Sequence, residues 1–393
     1  MNLVFLLKTG EIGGIGIVTA RLANKFVQEG HEVVFVSFNR PPEVMLNKLD
    51  KRILTFQLGK YEISKSIIRR FRKILIENKI DFILNQMGLP YIPIIVAKKA
   101  SKGLNVKIIT TYHNSPNYNG RVQHVKNQMI GKTGLILLFY KLKKYLYMKV
   151  TSTAMKYNYK QSDRFIVLSN SYVEEFKSFT KIGDVPKLRV LNNPVMLDNK
   201  KRLNFEAINK SKEKEIIYVG RLDGIQKCVF RVLDTWNIFK KKHPEWNLFI
   251  VGDGEERCNL ERKANMMKLK DVFFVGYQNP LDYYKRARLL LLTSDFEGFP
   301  LVLVEAMSYG VIPVVYDSFS ALNDIIDNGK DGIIVSKVSQ SFSPEEMFKG
   351  MELALYGDTL LQNMSSNAME KSHNYELDKI YNDWLALFNE FHI

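Results

Sequence analysis

The stretch DFEGFPLVLVEAMSYGVIPVV, residues 295–315, is the most informative part of the chain because it places a complete turn and helix between two apolar runs. One run, Leu289–Leu292, comes just before the stretch, and the other, Val311–Val315, ends it. Uninterrupted apolar runs of this length are typical of parallel strands that are buried on both faces. Pro300 suits the first helical position, where its missing N–H costs nothing. The stretch therefore predicts a strand, loop, helix, strand unit.

Two carboxylates lie eight residues apart in the sequence, around the start of the predicted helix. Glu297 precedes the helix and Glu305 lies two turns inside it. Free backbone N–H groups at a helix start can bind a phosphate. Glu305 faces the same crevice, where a carboxylate can accept hydrogen bonds from a ribose diol. These residues predict a binding site for a sugar nucleotide.

Segments with the apolar spacing of a strand alternate with segments that have the spacing of a helix in both halves of the chain. Each half begins with an apolar strand that leads into a glycine-containing turn and a helix, first at Leu3–Leu7 and again at Glu215–Val219. Further strands are predicted at 31–37, 82–85, 106–111, 164–168, 246–251, 272–275, 289–292 and 312–315. This alternation indicates an α/β fold with two doubly wound parallel sheets. A chain of 393 residues is also longer than a single hydrophobic core usually supports, so two domains are expected. We expect the two domains to face each other across a cleft.

The domain boundary is predicted near Asn192-Asn193-Pro194 and the Lys-rich stretch 198–214. We expect one domain over residues 1–193 and a second over 194–374. A last amphipathic helix within 375–393 is expected to pack back on the first domain. Its apolar side chains are Leu377, Ile380, Trp384, Leu387 and Phe388.

Charge is distributed unevenly along the chain. Residues 1–162 hold 27 Lys and Arg against 8 Asp and Glu, a net charge of +19, whereas residues 163–393 hold 30 against 33, a net charge of −3. Residues 82–162 contain no acidic side chain, and residues 121–160 interleave Lys with Leu, Phe and Tyr in a pattern compatible with an amphipathic helix. One interpretation is a face that lies on an anionic bilayer, and the other is a solvated basic helix whose Leu and Tyr side chains face the core. Nucleic-acid binding is disfavoured, because zinc-finger spacing and aromatic RNA-binding signatures are lacking.

Targeting and redox features are few. The first apolar run, Leu3–Leu7, is too short for a signal sequence, and no segment approaches the ~20 apolar residues of a membrane span. Cys228 and Cys258 have no metal-ligand spacing and are expected to be buried thiols in a reducing compartment. We therefore expect a cytoplasmic protein.

Cations rather than metals are the candidates for charge neutralisation. Arg221 and Lys227 flank a turn into a helix, so both can reach one diphosphate. The chain has no Asp-x-Asp motif and no His cluster, so no metal is expected. The turn Gly13-Gly14-Ile15-Gly16 does not have the dinucleotide spacing G-x-G-x-x-G, which argues against a nicotinamide or flavin enzyme.

These residues resemble the retaining glycosyltransferases of family 4, glycosyl transferases group 1, which have the GT-B fold of two Rossmann-like domains. The resemblance is highly specific in the second half of the chain. The family's strand-turn-cation motif is similar to VGRLDGIQK at 219–227, and its next βα unit is similar to LFIVGDGEER at 248–257. Its base-binding turn is similar to FFVGYQN at 273–279. Its E-x7-E signature is similar to the segment that begins at Glu297. In the first half the match is thinner and rests on Gly13-Gly14, on His113 in TTYHNS and on VLSNSY at 167–172.

The resemblance implies roles for the matching positions. Arg221 and Lys227 would hold the donor diphosphate, Glu297 would bond hydroxyls of the transferred sugar, and His113 would sit beside that sugar as the fourth catalytic candidate. Donor binding would further involve Gly13, Gly14, Gly16, Gly276, Tyr277, Gly298, Phe299, Leu301 and, on the ribose, Glu305. Cys228 departs from the pattern, since the family usually has glycine after the lysine.

The resemblance also implies a reaction. We expect a metal-independent retaining transferase without a cofactor, peripherally associated with the inner face of the cell membrane. It would move a hexose or N-acetylhexosamine from a nucleotide sugar, most simply a UDP-sugar, to a lipid-linked, lipopolysaccharide or capsular polysaccharide acceptor, and it would bind no nucleic acid. Glu297 would position the sugar, with a role as covalent nucleophile as the alternative. Rival interpretations are a nucleotide-sugar epimerase, a phosphorylase-like enzyme with lysine-bound pyridoxal phosphate, and a non-catalytic membrane or nucleic-acid adaptor.

Overall fold

The chain divides into two compact units. The structure is a computed structural model that describes residues 1–9, 13–117, 120–129, 131–195, 205–339 and 341–391. Unit 1 comprises Met1–Pro194 together with Leu377–Ile393, and unit 2 comprises Val195–Glu376. Residues 10–12 of the glycine-rich segment before the first predicted helix and residues 198–204 of the predicted linker lie outside the described residues.

Unit 1 contains a parallel sheet of seven strands within its described residues. The strands are β1 (Asn2–Leu7), β2 (Glu32–Ser37), β3 (Leu54–Gln57), β4 (Phe82–Asn85), β5 (Lys107–Thr111), β6 (Arg164–Val167) and β7 (Leu188–Val190). Their order across the sheet is β3-β2-β1-β4-β5-β6-β7. Strands β1 and β4 lie at the centre and are almost fully buried, since helices cover both faces of a doubly wound sheet.

The helices of unit 1 connect these parallel strands. They are α1 (Gly14–Gln28), α2 (Glu43–Leu46), α3 (Lys65–Glu77), α4 (Tyr91–Ala100), α5 (Gly120–Met129), α6 (Gly134–Gln161) and α7 (Ser171–Thr180). In α1 the side chains of Val18, Leu22 and Phe26 recur every four residues and are buried, as expected for a helix that packs one stripe on the sheet.

Unit 2 repeats the plan with six strands in its described part. These are β8 (Glu215–Val219), β9 (Asn247–Val251), β10 (Val272–Gly276), β11 (Leu289–Leu292), β12 (Ile312–Tyr316) and β13 (Ile333–Val335), in the order β10-β9-β8-β11-β12-β13. The helices are α8 (Phe205–Lys210), α9 (Phe230–Lys242), α10 (Arg257–Met266), α11 (Leu281–Arg286), α12 (Leu301–Met307), α13 (Leu322–Ile325), α14 (Pro344–Ala354) and α15 (Asp358–Ser372). All strand pairs are parallel, which confirms the predicted α/β class with two Rossmann-like domains.

The last helix, α16 (Leu377–Asn389), belongs to unit 1 although it follows unit 2 in the chain. The ring of Phe388 lies 4.5 Å from that of Phe82 in β4 and 5.8 Å from that of Phe26 in α1. Lys25 and Asp378 form an ion pair at 2.5 Å at its start. The apolar stripe of α16 thus completes the core of unit 1.

Candidate functional site

The site in unit 2 is built by the two loops that follow β8 and β11. These neighbouring strands mark the point at which the strand order reverses, and open α/β sheets bind ligands beyond the carboxyl ends of strands at such a point. The loop after β8 carries Arg221 and Lys227, and the loop after β11 carries Glu297. The fold therefore brings three of the four catalytic candidates to one edge of the sheet.

Lys227 and Glu297 form an ion pair at the centre of this site. Lys227 Nζ lies 2.5 Å from Glu297 Oε1, and the two side chains are only 16% and 7% exposed. The other carboxylate oxygen, Oε2, accepts a hydrogen bond from Gln226 Nε2 at 3.2 Å. A charge this buried is costly unless it is paired and hydrogen-bonded, so each of the two groups stabilises the other.

Arg221 is the exposed cation beside this pair. Its side chain is 65% exposed, and its Nε donates to Asp223 Oδ2 at 2.9 Å. A terminal nitrogen donates to Gln226 Oε1 at 3.3 Å, so one side-chain amide connects Arg221 to Glu297. Within the described residues these contacts engage Nε and Nη2, so the exposed guanidinium offers the N–H groups of its other terminal nitrogen, Nη1, to an anion.

Asp223 holds the cation loop in shape, a role that the sequence interpretation missed. Its Oδ1 accepts hydrogen bonds from the backbone N–H groups of Ile225, Gln226 and Lys227 at 3.0, 2.7 and 3.2 Å. Its Oδ2 binds Arg221. The Asp-Gly pair at 223–224 is a typical turn signal, so a cue was present in the sequence. Asp223 is a positioning residue for both cations.

Cys228 closes the loop in a conformation that favours glycine. Its φ of +51° lies in the left-handed region, where a side chain is strained and glycine is not. This explains why glycine is usual at this position in the family pattern. Burial raises the pKa of the Cys228 thiol to about 12, which makes it unreactive.

The second cysteine differs from expectation. Cys258 is exposed, so the prediction that both thiols are buried is wrong for this one. The reason is its place on α10, whose buried residues are Leu260 and Ala264. Position 258 is two residues before Leu260, about 200° around the helix, and therefore points away from the core.

A second ion pair connects the loop after β11 to α9, the helix that follows the loop after β8. Arg231 in α9 lies 2.6 Å from Asp295 Oδ1 and donates to the carbonyl of Thr293 at 2.9 Å. The backbone N–H of Asp295 donates to the carbonyl of Gln226 at 2.8 Å. The sequence interpretation missed Arg231, because a single arginine near a helix start carries no distinctive pattern.

Glycines in the loop after β9 let it approach the cation loop closely. A Cβ on Gly252 would lie 1.9 Å from the carbonyl oxygen of Gly220, and one on Gly254 would lie 2.3 Å from that of Leu222. Both contacts are to backbone, which has little room to move. The VGDG part of the sequence thus serves the packing of the site loops.

Gly276 and Tyr277 lie at the end of β10. Gly276 has a φ of +74°, which explains the choice of glycine there. Tyr277 follows it and is 77% exposed. An exposed aromatic ring offers a stacking surface to a nucleobase, since every base has a π-face.

The remaining candidates for donor binding in unit 2 lie in α12 or in the turn that precedes it. Glu305 is one turn inside this seven-residue helix, rather than two turns as expected, because the helix begins only at Leu301. Its Oε2 accepts a hydrogen bond from the Tyr284 hydroxyl at 3.4 Å. Gly298 and Phe299 are buried in the turn before the helix, where the ring of Phe299 packs 5.3 Å from a neighbouring aromatic ring.

In unit 1 the glycine turn leads into α1. Gly13 precedes the helix, Gly14 is its first residue, and Gly16 is buried. Among the described residues a Cβ on Gly13 or Gly14 would meet nothing within 4 Å, and the φ of Gly13, −159°, suits any residue. The packing of the described residues therefore does not require glycine at these two positions and leaves room for a ligand beside them.

His113 follows β5 of the same sheet, and Gln86 follows β4. His113 Nε2 lies 2.8 Å from Gln86 Oε1, and the Gln86 amide nitrogen donates to Leu84 O at 3.4 Å. This pattern assigns the imidazole proton to Nε2. Burial lowers the pKa of His113 to about 4, so the ring is neutral. Within the described part of the chain its buried Nδ1 has no hydrogen-bond partner.

The lowered pKa of His113 predicts a pH dependence of stability. Between the ordinary value of 6.5 and about 4, the unfolded chain binds a proton at this ring and the folded protein does not, so stability is lost as the pH falls through this window. The His113→Asn variant should lose less stability over the same window. Thermal unfolding of both proteins in steps from pH 7 to pH 4 would measure the difference, and parallel curves would contradict the lowered pKa.

Two observations concern metals and membranes. Among the residues that the structure describes, no group of three His, Cys, Asp or Glu side chains is arranged to hold a metal ion. Metal independence stays a prediction. In the same described ranges no helix pairs the length with the apolar composition that crossing a bilayer requires.

Two family models match consecutive parts of the chain. One, described as Glycosyltransferase Family 4, matches residues 12–199, and the other, described as Glycosyl transferases group 1, matches residues 199–371. An uncharacterized glycosyltransferase of Haemophilus influenzae is 26% identical over 396 residues, with 98% of each chain covered. A Campylobacter jejuni protein named as an alpha-1,4-N-acetyl-D-galactosaminyltransferase acting on an undecaprenol-PP-linked glycan is 23% identical over 397 residues, with 99% of each chain covered.

Solved structures share the fold, and their alignments cover 99% of this chain. Anabaena HepE in complex with UDP superposes with a TM-score of 0.76 at 15% identity, covering 99% of this chain and 100% of that one. The pneumococcal O-GlcNAc transferase GtfA, in complex with UDP and GlcNAc, has a TM-score of 0.74 at 12% identity, with 99% of each chain covered. At these identities the likeness concerns the fold.

Proposed function

Because the chain belongs to glycosyltransferase family 4, with its GT-B fold of two Rossmann-like domains, we propose that it is a retaining, metal-independent transferase that uses a nucleotide sugar. The donor is a UDP-sugar that carries a hexose or an N-acetylhexosamine. The acceptor is a lipid-linked, lipopolysaccharide or capsular polysaccharide glycan at the inner face of the cell membrane. No cofactor beyond the donor itself takes part.

The observation that carries this proposal is the Lys227–Glu297 pair with Arg221 beside it at the switch point of the second sheet. Two cations next to one carboxylate match a donor that has an anionic diphosphate and a neutral sugar with hydroxyl groups. When the diphosphate binds, it takes over the cationic contacts of Lys227, and Glu297 turns its oxygens to the sugar hydroxyls. The pair therefore exchanges its mutual contact for contacts with the two parts of the donor.

The chemistry follows from these positions. The bond between the anomeric carbon and the diphosphate oxygen breaks, and its electron pair leaves with the UDP. The acceptor hydroxyl attacks the anomeric carbon from the same face, and its proton passes to the leaving diphosphate oxygen. Arg221 and Lys227 stabilise the charge that develops on that oxygen, and such preorganised electrostatic stabilisation is usually the largest single contribution to catalysis.

The names of relatives support the donor and acceptor classes. UDP is the nucleotide in the HepE and GtfA complexes. The Campylobacter relative is named for a lipid-pyrophosphate-linked acceptor. A Salmonella typhimurium lipopolysaccharide 1,6-galactosyltransferase is 33% identical over 153 residues, which cover 37% of this chain and 41% of that protein.

A transfer assay with the purified full chain tests the proposal. Thermal-shift screening of nucleotide sugars identifies the donor, because a tight ligand stabilises the folded state by mass action. Transfer to a lipid-linked glycan is then followed in EDTA, and NMR of the product gives the anomeric configuration. We expect transfer with retention that EDTA does not reduce.

Other outcomes would assign another function. Conversion of the nucleotide sugar without any acceptor would indicate an epimerase, and failure to bind every nucleotide sugar would indicate an adaptor. Inversion of the anomer would contradict the mechanism, and transfer that stops in EDTA and returns with Mg²⁺ would contradict metal independence.

A further inference from the structure

The N-terminal part of α6, as far as Val150, presents an apolar stripe to solvent. Its side chains recur at helical spacing and are between 50% and 84% exposed: Leu135, Leu138, Phe139, Leu142, Leu146 and Val150. We call these six residues the α6 stripe. Apolar side chains exposed singly are normal on a protein surface, but a contiguous row on one helix face marks an interaction surface.

The opposite side of α6 packs on unit 1. Leu137, Tyr147 and Met148 are only partly exposed, and further along the helix Thr151 and Met155 are buried. The helix contacts α4, α5 and α7 through this side. The expectation of Leu and Tyr side chains that face the core thus describes one face of α6, and the α6 stripe forms the other.

Lysines accompany the α6 stripe. Lys141 and Lys149 are exposed beside it and Lys143 is half-buried on its flank, whereas Lys144 lies seven residues from Leu137 and from Thr151 and so belongs to the opposite face. Lys143 Nζ lies 5.8 Å from the ring centre of Tyr140, so its stem lies along the helix surface. No acidic residue occurs between residues 82 and 162. The surface therefore combines apolar side chains with positive charge.

These properties select among possible occupants. A second copy of the chain would bring the same lysines opposite one another, and like charges repel. A nucleic acid would pair with the lysines but would not cover six apolar side chains. An anionic bilayer offers phosphate groups to the lysines and acyl chains to the stripe.

We propose that the α6 stripe inserts into the surface of an anionic bilayer while the adjacent lysines contact lipid phosphates. From Leu135 to Val150 the stripe runs for about 22 Å along the helix, which suits a helix that lies in the plane of the membrane. The inference does not depend on the transferase chemistry. A lipid-linked acceptor of the proposed class would be met at the same membrane.

Vesicle binding by the full-length protein tests this surface. The stripe variant L138Q/L142Q/L146Q removes apolar contact, and the lysine variant K141S/K143S/K149S removes charge. The control M266Q/L353Q/Y356Q changes three apolar residues of unit 2 that are 78%, 51% and 76% exposed. Sedimentation with vesicles of phosphatidylcholine and phosphatidylglycerol in equal parts is compared with sedimentation in pure phosphatidylcholine.

We expect the wild type and the control to bind the anionic vesicles, with at least tenfold weaker binding by the stripe variant and by the lysine variant. All four proteins should have the same Tm, because every changed residue contacts solvent. The inference is overturned if the stripe variant binds anionic vesicles as tightly as the wild type, or if the wild type does not bind them. Analytical ultracentrifugation that shows a wild-type dimer and a monomeric stripe variant, without vesicle binding, would assign the stripe to self-association.

Transfer to a water-soluble acceptor analogue separates this inference from the proposed function. The stripe variant should transfer to the analogue at the wild-type rate, because the α6 stripe is not in the donor site. Vesicle binding without transfer to any acceptor would refute the transferase proposal and leave the membrane surface supported. Transfer without vesicle binding would do the reverse.

Discussion

Replacing Glu297 by alanine is expected to lower turnover by about 10²–10³-fold while free UDP still binds. The carboxylate contacts the transferred sugar in the proposed complex, so its loss acts on the reacting sugar and not on the nucleotide. UDP affinity should not fall, because Lys227 loses its internal partner and becomes more available to the diphosphate. Steady-state kinetics and calorimetric titration with UDP measure the two effects separately.

The same change should also destabilise unit 2. It leaves the Lys227 ammonium largely buried without its carboxylate, and removing one partner of a buried pair typically costs about 3 kcal/mol. Glu297→Gln is the matched control, because it keeps the shape and one oxygen acceptor without the charge. Wild-type turnover in Glu297→Ala would refute the assignment. A glycosyl group covalently attached to Glu297 in rapid-quench samples would show that this residue is a nucleophile.

Replacing Lys227 by methionine is expected to weaken UDP binding by about 10–100-fold, the usual range for a lost hydrogen bond to a charged group. The methionine stem fills the space of the lysine, so packing is kept while the charge is removed. The variant also leaves Glu297 buried without its cation, and stability should fall. Titration with UDP, UMP and uridine measures which part of the nucleotide loses affinity.

Arg221→Ala provides the comparison for Lys227. Its side chain is 65% exposed, so its removal should change stability by no more than about 0.5 kcal/mol. UDP affinity should nevertheless fall by a similar factor, with a smaller loss for UMP and none for uridine. Equal losses for UDP and uridine, or unchanged UDP affinity in both variants, would show that these cations do not hold the diphosphate.

Most strands could be predicted because parallel strands at the centre of a sheet are uninterrupted apolar runs. Leu289–Leu292 is such a strand, and it is fully buried between β8 and β12. Three strands were missed: β3, β7 and β13. Each has only three or four residues, β3 is exposed throughout, and all three lie at the edges of their sheets. Such short edge strands exist only because a neighbouring strand pairs with them.

The candidate site could be predicted in part. Arg221, Lys227 and Glu297 stand in a distinctive pattern, and the fold places them at one edge of the second sheet. Asp223 and Gln226 were missed, although they hold the loop and connect the charged groups. Their roles depend on hydrogen bonds between residues two to 71 positions apart, and residue type alone does not reveal such bonds.

The amino-acid sequence alone establishes that the protein has two doubly wound α/β domains and that a sugar-nucleotide motif occupies the second. Helical and strand periods carry this information, because the spacing of apolar residues along one face differs between a helix and a strand. Tertiary structure alone shows that Lys227 pairs with Glu297 and that the α6 stripe faces solvent. Periodicity shows that a helix has an apolar face, but only the packing of neighbouring helices determines whether that face is buried.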